Sequence, residues 1–194
     1  MGAGLIFGGL LIALAALVVI LIVMVIGLYN HFVTLRNRID NAWHQIDVQL
    51  RRRYDLIPNL VETVKGAMQF ERDTLERVMQ ARARAVGATS MGERTAAETE
   101  VSQSLGRLFA VMENYPTLKT NQNALQLQEE LTTTENQLTF ARQFYNDVVM
   151  QLNTREQLFP SSLVATFFAF KPAQYFTVAA EEQAVPRVDL SLSR

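Results

Sequence analysis

The chain has 194 residues, of which 49% are hydrophobic and 19% charged, with no cysteine and a formal net charge of −1. A near-neutral balance excludes the broad basic face with which a protein tracks nucleic-acid phosphate, so no nucleic-acid partner is expected. The lack of cysteine removes thiol acylation as an anchor and leaves the redox compartment unspecified.

The first element is an unbroken apolar run from Leu5 to Leu28, with no charged side chain before Arg36. At about 1.5 Å per helical residue it reaches roughly 36 Å, enough to cross a hydrocarbon core of about 30 Å with some tilt. Backbone in lipid must satisfy its own hydrogen bonds, so the run is predicted to be a single membrane-spanning helix bounded by Leu5 and Leu28. A cleaved signal peptide fits poorly, because a basic leader segment is missing and the only small-x-small word, Ala13-Leu14-Ala15, lies inside the run. Arg36 and Arg38 follow the span and no Lys or Arg precedes it, which favours an outside N-terminus and a cytoplasmic body.

Beyond the span the sequence becomes charged and helical in period. Leu35, Ile39, Ala42, Ile46, Leu50 and Tyr54 form an apolar stripe that Ile57, Val61, Val64, Met68, Leu75 and Val78 extend. This reads as one long amphipathic helix, continuous with the span, kinked rather than reversed at Pro58 and ending near Val86-Gly87. A second helix is predicted from about Glu93 to Asn114 on Ala97, Val101, Leu105, Leu108 and Met112. Tyr115-Pro116 breaks the chain, and a third helix from about Asn121 to Asn153 buries Leu127, Leu131, Leu138, Ala141, Tyr145, Val148 and Leu152. Phe159-Pro160 opens a segment, Ser161 to Val178, whose density of Phe and Tyr calls for burial. The polar sequence from Glu181 reads as a fraying tail.

Two packings fit these lengths. If the chain reverses at Pro116, segments 58–86, 93–114 and 121–153 form an antiparallel bundle, with 160–178 as a shorter fourth element. If it does not, residues 31–86 and 93–153 make a long hairpin that brings the aromatic segment back to the membrane surface. The bundle is preferred, because a two-helix hairpin leaves apolar faces wet unless it oligomerises.

Catalytic groups are sparse. His31 and His44 are thirteen residues apart, which is not a helical metal-ligand spacing, and no Glu-x-x-His pair of the di-iron bundles occurs. Asp40 and Asp47 flank His44 at helical spacing, so a local hydrogen bond is its expected role. Serines and threonines lack a histidine base and a nucleophile-elbow pattern. Glu129, Glu130 and Glu135 read as a solvated helix face. No cofactor, metal site or enzyme activity is expected. Arg51, Arg52 and Arg53 are the strongest charge cluster; Asp47 and Asp55 flank it at helical spacing, which points to salt bridges within or between subunits. Trp43, the sole tryptophan, is expected in the core.

The words themselves resemble the bacterial LemA family: Ala42-Trp43-His44-Gln45-Ile46-Asp47-Val48-Gln49-Leu50, then Arg52-Arg53-Tyr54-Asp55-Leu56-Ile57-Pro58-Asn59-Leu60-Val61-Glu62-Thr63-Val64-Lys65-Gly66. Later stretches agree, among them Glu113-Asn114-Tyr115-Pro116-Thr117-Leu118-Lys119, Leu127-Gln128-Glu129-Glu130-Leu131 and Phe159-Pro160. The likeness covers about residues 28–176. It implies an N-terminal anchor carrying an all-helical domain, an association with envelope and membrane processes, and no established biochemical activity or catalytic residues. It makes Arg51, Arg52, Arg53, Tyr54, Asp55, Pro58 and Asn59 the candidate interaction surface. The competing reading of that word is a kink motif in which Asp55 caps the helix that resumes after Pro58.

The expectation is therefore an all-α protein: a transmembrane anchor at 1–30, a bundle domain at 31–178 and a flexible tail at 179–194. It touches lipid through the N-terminal helix and works as a homo-oligomer or with a membrane-protein partner. The function expected is that of a non-enzymatic scaffold of the bacterial inner membrane. The alternative is an accessory subunit of a membrane protease or signalling system.

Overall fold

A computed structural model describes residues 2–176, with side chains from residue 7 onward. Leu5 as a side chain and the tail expected at 179–194 lie outside the described residues. Six helices follow in order: α1 (Gly2–Lys65), α2 (Arg72–Gly87), α3 (Met91–Met112), α4 (Pro116–Lys119), α5 (Gln122–Gln157) and α6 (Ser161–Phe167). Among the described residues there is no strand. The fold is all-α, with one long apolar N-terminal helix and a set of further helices behind it.

Among the described residues nothing buries the apolar stretch of α1, and large side chains from Phe7 to Ile26 stand exposed along it. Such a surface is stable in lipid and costly in water. By length and composition α1 is the one described helix able to cross a membrane.

The described residues divide into two compact units, residues 2–45 with 141–175 and residues 46–140 with 176. α1 and α5 each contribute to both. In the second unit, Ile46–Lys65 of α1 packs with α2, α3, α4 and the first half of α5 around Ile57, Leu60, Val64, Val78, Val101, Leu108 and Leu131. The reversal expected at Pro116 is present, since Ser102 of α3 meets Glu135 of α5: Pro116 opens the one-turn α4, and the Asn121 side chain accepts from the backbone N–H groups of Asn123 and Ala124 to cap α5.

The long helix expected to run to Val86-Gly87 instead ends at Lys65, and α2 begins at Arg72. Gly66 lowers helix propensity at that point. The Met68 N–H bonds to the Val64 carbonyl and that of Glu71 to Met68, closing a tight reversal. A long-range contact shows the outcome. Arg82 of α2 reaches the Tyr54 carbonyl of α1, and Leu75 and Val78 share a core with Ile57 and Val64, so α2 runs back along α1. The turn after Gly87 leads into a capping box: the Ser90 hydroxyl accepts from the Glu93 N–H, and the Glu93 carboxylate accepts from the Ser90 N–H. These backbone donors hold the Glu93 pKa below its ordinary value.

In the first unit, Trp43 packs edge-on against Tyr145 with ring centroids 5.7 Å apart. Burial, with the Asp40 charge nearby, raises the pKa of Tyr145, and its hydroxyl donates to the Gln174 carbonyl at 2.9 Å. Asn153 pairs through its side-chain amide with the backbone N–H and C=O of Ala173, so residues after α6 return along α5. The expectation that the aromatic segment is buried holds only in part. Phe176 is buried, whereas Phe167 is 82% exposed and Phe168 and Tyr175 are also exposed, because the short α6 turns only Ser161, Val164 and Ala165 inward.

Candidate functional site

The word from Arg51 to Asn59 lies entirely within α1. At about 100° per residue, three consecutive arginines point in three directions. Arg51 and Arg52 face outward. Arg51 pairs with Asp47 at 2.7 Å, and Arg52 reaches Glu130 of α5 at 3.8 Å. Asp55 and Asn59 are exposed and Pro58 is partly buried. Arg53 departs from the expected surface: its side chain is 1% exposed, inside the second unit.

Burial of a guanidinium requires partners on every side. Its Nη1 donates to Glu98 of α3 at 3.1 Å, and Glu98 is itself 1% exposed. Its Nη2 donates to the Ser102 hydroxyl at 2.8 Å and pairs with Glu135 of α5 at 2.9 Å. The Ser102 hydroxyl donates onward to Glu135 at 3.0 Å. The Tyr54 hydroxyl donates to the second oxygen of Glu98. Desolvation, then the hydrogen bond to Glu98 and its negative charge, push the Tyr54 pKa well up, so the phenol stays neutral and remains a donor. Arg53 thus ties α1 to α3 and α5. Its Nε has no hydrogen-bond partner in the structure.

Pro58 neither breaks α1 nor starts a new helix, so Asp55 caps nothing. Proline lacks the N–H that would bond to the carbonyl four residues back, which leaves the Tyr54 carbonyl open. Arg82 of α2 fills that gap, its Nε donating to the Tyr54 carbonyl at 2.6 Å. The missing helix bond is replaced by a tertiary one. Arg82→Ala should destabilise the protein by about 1 kcal/mol, the worth of a hydrogen bond to a partly buried acceptor. In a Pro58→Ala background the restored N–H takes the carbonyl, so thermal melts of the four variants should show the Arg82 effect shrinking. Equal losses in both backgrounds would refute the pairing.

Glu98, Ser102, Glu135 and Arg82 were not legible as parts of this network. Glu130 and Glu135, expected on a solvated face, turn toward α1, while Glu129 is exposed. One signal was available: Arg53 stands three after Leu50 and four before Ile57, on the buried stripe. Both histidines are exposed, and Asp47, expected beside His44, is engaged by Arg51 and by Arg94 at 3.4 Å. Among the described residues no group of three or more His, Cys, Asp or Glu is placed to hold a metal ion. An open groove of about 1010 Å³ lies beside the 66–71 reversal, lined by Val61, Lys65, Met68, Leu75 and Met79 together with Glu62, Arg72 and Glu76.

The geometry offers two distinct things: an internally neutralised polar core, and an outward stripe of Arg51, Asp55 and Asn59 with Arg52 beside it. The family model described as LemA family matches residues 42–190. The chain is 25% identical over 172 residues to Protein LemA of Metamycoplasma hominis, covering 87% of this chain and 75% of that protein. It is 24% identical over 174 residues to Magnetosome protein MamQ 2 and to Magnetosome protein MamQ 1 of Paramagnetospirillum magneticum, covering 76% of this chain. The match spans 64% of the length of each magnetosome protein, just under two thirds.

Proposed function

The chain belongs to the LemA family, and on that premise we propose that it is a membrane-anchored helical scaffold, without catalytic chemistry of its own, that gathers proteins at the bacterial inner membrane. The observation that carries this reading is the disposition of α1. One helix presents an unburied apolar stretch and, further along, the outward polar stripe, while the ionic groups beneath that stripe are committed to each other. Arg36 and Arg38, both exposed after the apolar stretch, support an N-terminus outside and a cytoplasmic body. The likeness to magnetosome proteins supports a setting at a membrane.

The partner is a second copy of this chain or another membrane protein, held by the outward stripe. Arg52→Ala with Asp55→Ala should shrink the detergent-extracted particle or strip its crosslinked partners, with circular dichroism unchanged. The fold should withstand the change, since the half-exposed Arg52–Glu130 pair is worth about 0–1 kcal/mol. An unaltered particle with unaltered partners would remove this stripe from the contact.

The function itself is tested by gentle-detergent purification of the full-length protein from native membranes, with the intact mass measured. A large particle containing this chain alone supports the scaffold. A stoichiometric complex with one protease, kinase or transporter makes the protein an accessory subunit. A bare monomer overturns both.

A further inference from the structure

No side chain between Glu156 and Lys171 carries charge. Within that stretch Phe159 is 80% exposed, Leu163 63% and Phe167 82%, with Leu158 and Phe168 exposed beside them. Single exposed apolar residues are ordinary, but a contiguous group on one short segment marks a contact surface. The segment is held firmly in this attitude. The Ser161 hydroxyl lies within hydrogen-bonding distance of the Arg155 and Leu158 carbonyls, fixing the turn into α6. At the far end Ala169 adopts φ 56° in the left-handed region, and the N–H groups of Ala169 and Phe170 bond back to Thr166 and Ala165. This is the Schellman closure, formed here without the usual glycine.

What the group faces follows from where it docks. The Phe168 ring lies 4.8 Å from that of Tyr29, and Phe170 stacks on Phe32 at 4.8 Å. Tyr29 is the residue directly after the apolar run, so Phe168, and Phe167 packed against it at 5.0 Å, sit at the level where the run ends. His31, Arg36 and Lys171 are exposed nearby in sequence, cationic or polar groups suited to lipid headgroups. We propose that α6 and its flanks, residues 158–168, form an interfacial plate that lies in the headgroup boundary of the bilayer crossed by α1. The occupant is lipid rather than protein, because the plate is continuous with a surface that is itself lipid-facing. Amphipathic segments of this kind sink about 5–10 Å into the headgroup and acyl boundary, where aromatic rings concentrate. The proposal rests on α1 being a span, and it adds a second attachment that restricts how the first unit can pivot about that span.

The chain has no cysteine of its own, so single nitroxide labels can be placed at Val18→Cys, Leu163→Cys, Phe167→Cys and, as an exposed control, Asp147→Cys. The full-length protein is reconstituted in phosphatidylcholine–phosphatidylglycerol vesicles, and collision with oxygen and with a water-soluble nickel chelate is compared. The plate predicts an oxygen-to-nickel accessibility ratio several-fold higher at Leu163 and Phe167 than at Asp147, approaching the value at Val18. Nickel access at Leu163 and Phe167 equal to that at Asp147, with Val18 shielded, overturns the plate while the span stands. Exclusion of both reagents at Leu163 and Phe167 overturns it in favour of a covering protein. Nickel access at Val18 as well overturns the span, and the plate with it.

Discussion

Arg53→Met should lower the melting temperature by about 6–20 °C, the shift expected for a loss of about 3–5 kcal/mol in a chain of this size. The substitution preserves much of the side-chain volume but takes from Glu98, 1% exposed, the guanidinium that donates to it at 3.1 Å. Glu135 is 36% exposed and can turn to water, so the cost falls mainly on Glu98. Arg53→Met with Glu98→Leu should recover most of the loss. Taking two charges out of water costs more than their attraction returns, and apolar replacements of similar size remove both terms. The Tyr54 hydroxyl, deprived of its acceptor in the double variant, keeps the recovery incomplete. Thermal melts in detergent read by circular dichroism give all four corners of the cycle. A single variant melting within a degree or two of the parent would show that the buried pair does not hold α1, α3 and α5 together.

Leu17→Arg should abolish stable membrane insertion. Leu17 lies near the middle of the apolar run, where an arginine costs about 2.5–3.5 kcal/mol on the insertion scale, and its neighbours on α1 offer no countercharge. Under alkaline carbonate extraction of expressing cells the variant should leave the membrane pellet, while Leu17→Ala stays in it. Retention of the arginine variant would show that attachment does not depend on α1. Arg52→Ala forms the contrast: the same type of charge is dispensable for folding on the outer face of α1 and intolerable in its apolar stretch.

Much of the fold was legible because its determinants are local. The buried residues Leu35, Ile39, Ala42, Ile46, Leu50, Ile57, Val64 and Met68 follow the period of a helix, α2 ends at Gly87, and Pro116 opens α4 at its first position, where a proline is tolerated. The reversal after Lys65 was not legible in the same way. Gly66 alone is a weak signal, and the apolar register passes through it without a skip, since Met68 is buried on either path.

The candidate site divides along the same line. Arg51 with Asp47 is an i,i+4 pair that sequence spacing indicates directly. Arg53 with Glu98 joins residues 45 apart, and Arg82 with Tyr54 joins residues 28 apart. Read alone, the word Arg-Arg-Arg-Tyr-Asp-Leu-Ile-Pro looks like an exposed basic patch ending in a helix kink.

The sequence by itself determined the apolar span, the helical period, the kinship and the absence of a familiar catalytic motif, since each is written in neighbouring residues. Tertiary structure alone decided which arginine enters the core, which side chain fills the carbonyl that Pro58 leaves open, and that α6 shows its apolar side chains outward. The physical reason is that a buried charge or an open carbonyl is tolerable only when a partner arrives from elsewhere in the chain, and the arrival of Glu98, Glu135 and Arg82 depends on how the helices pack.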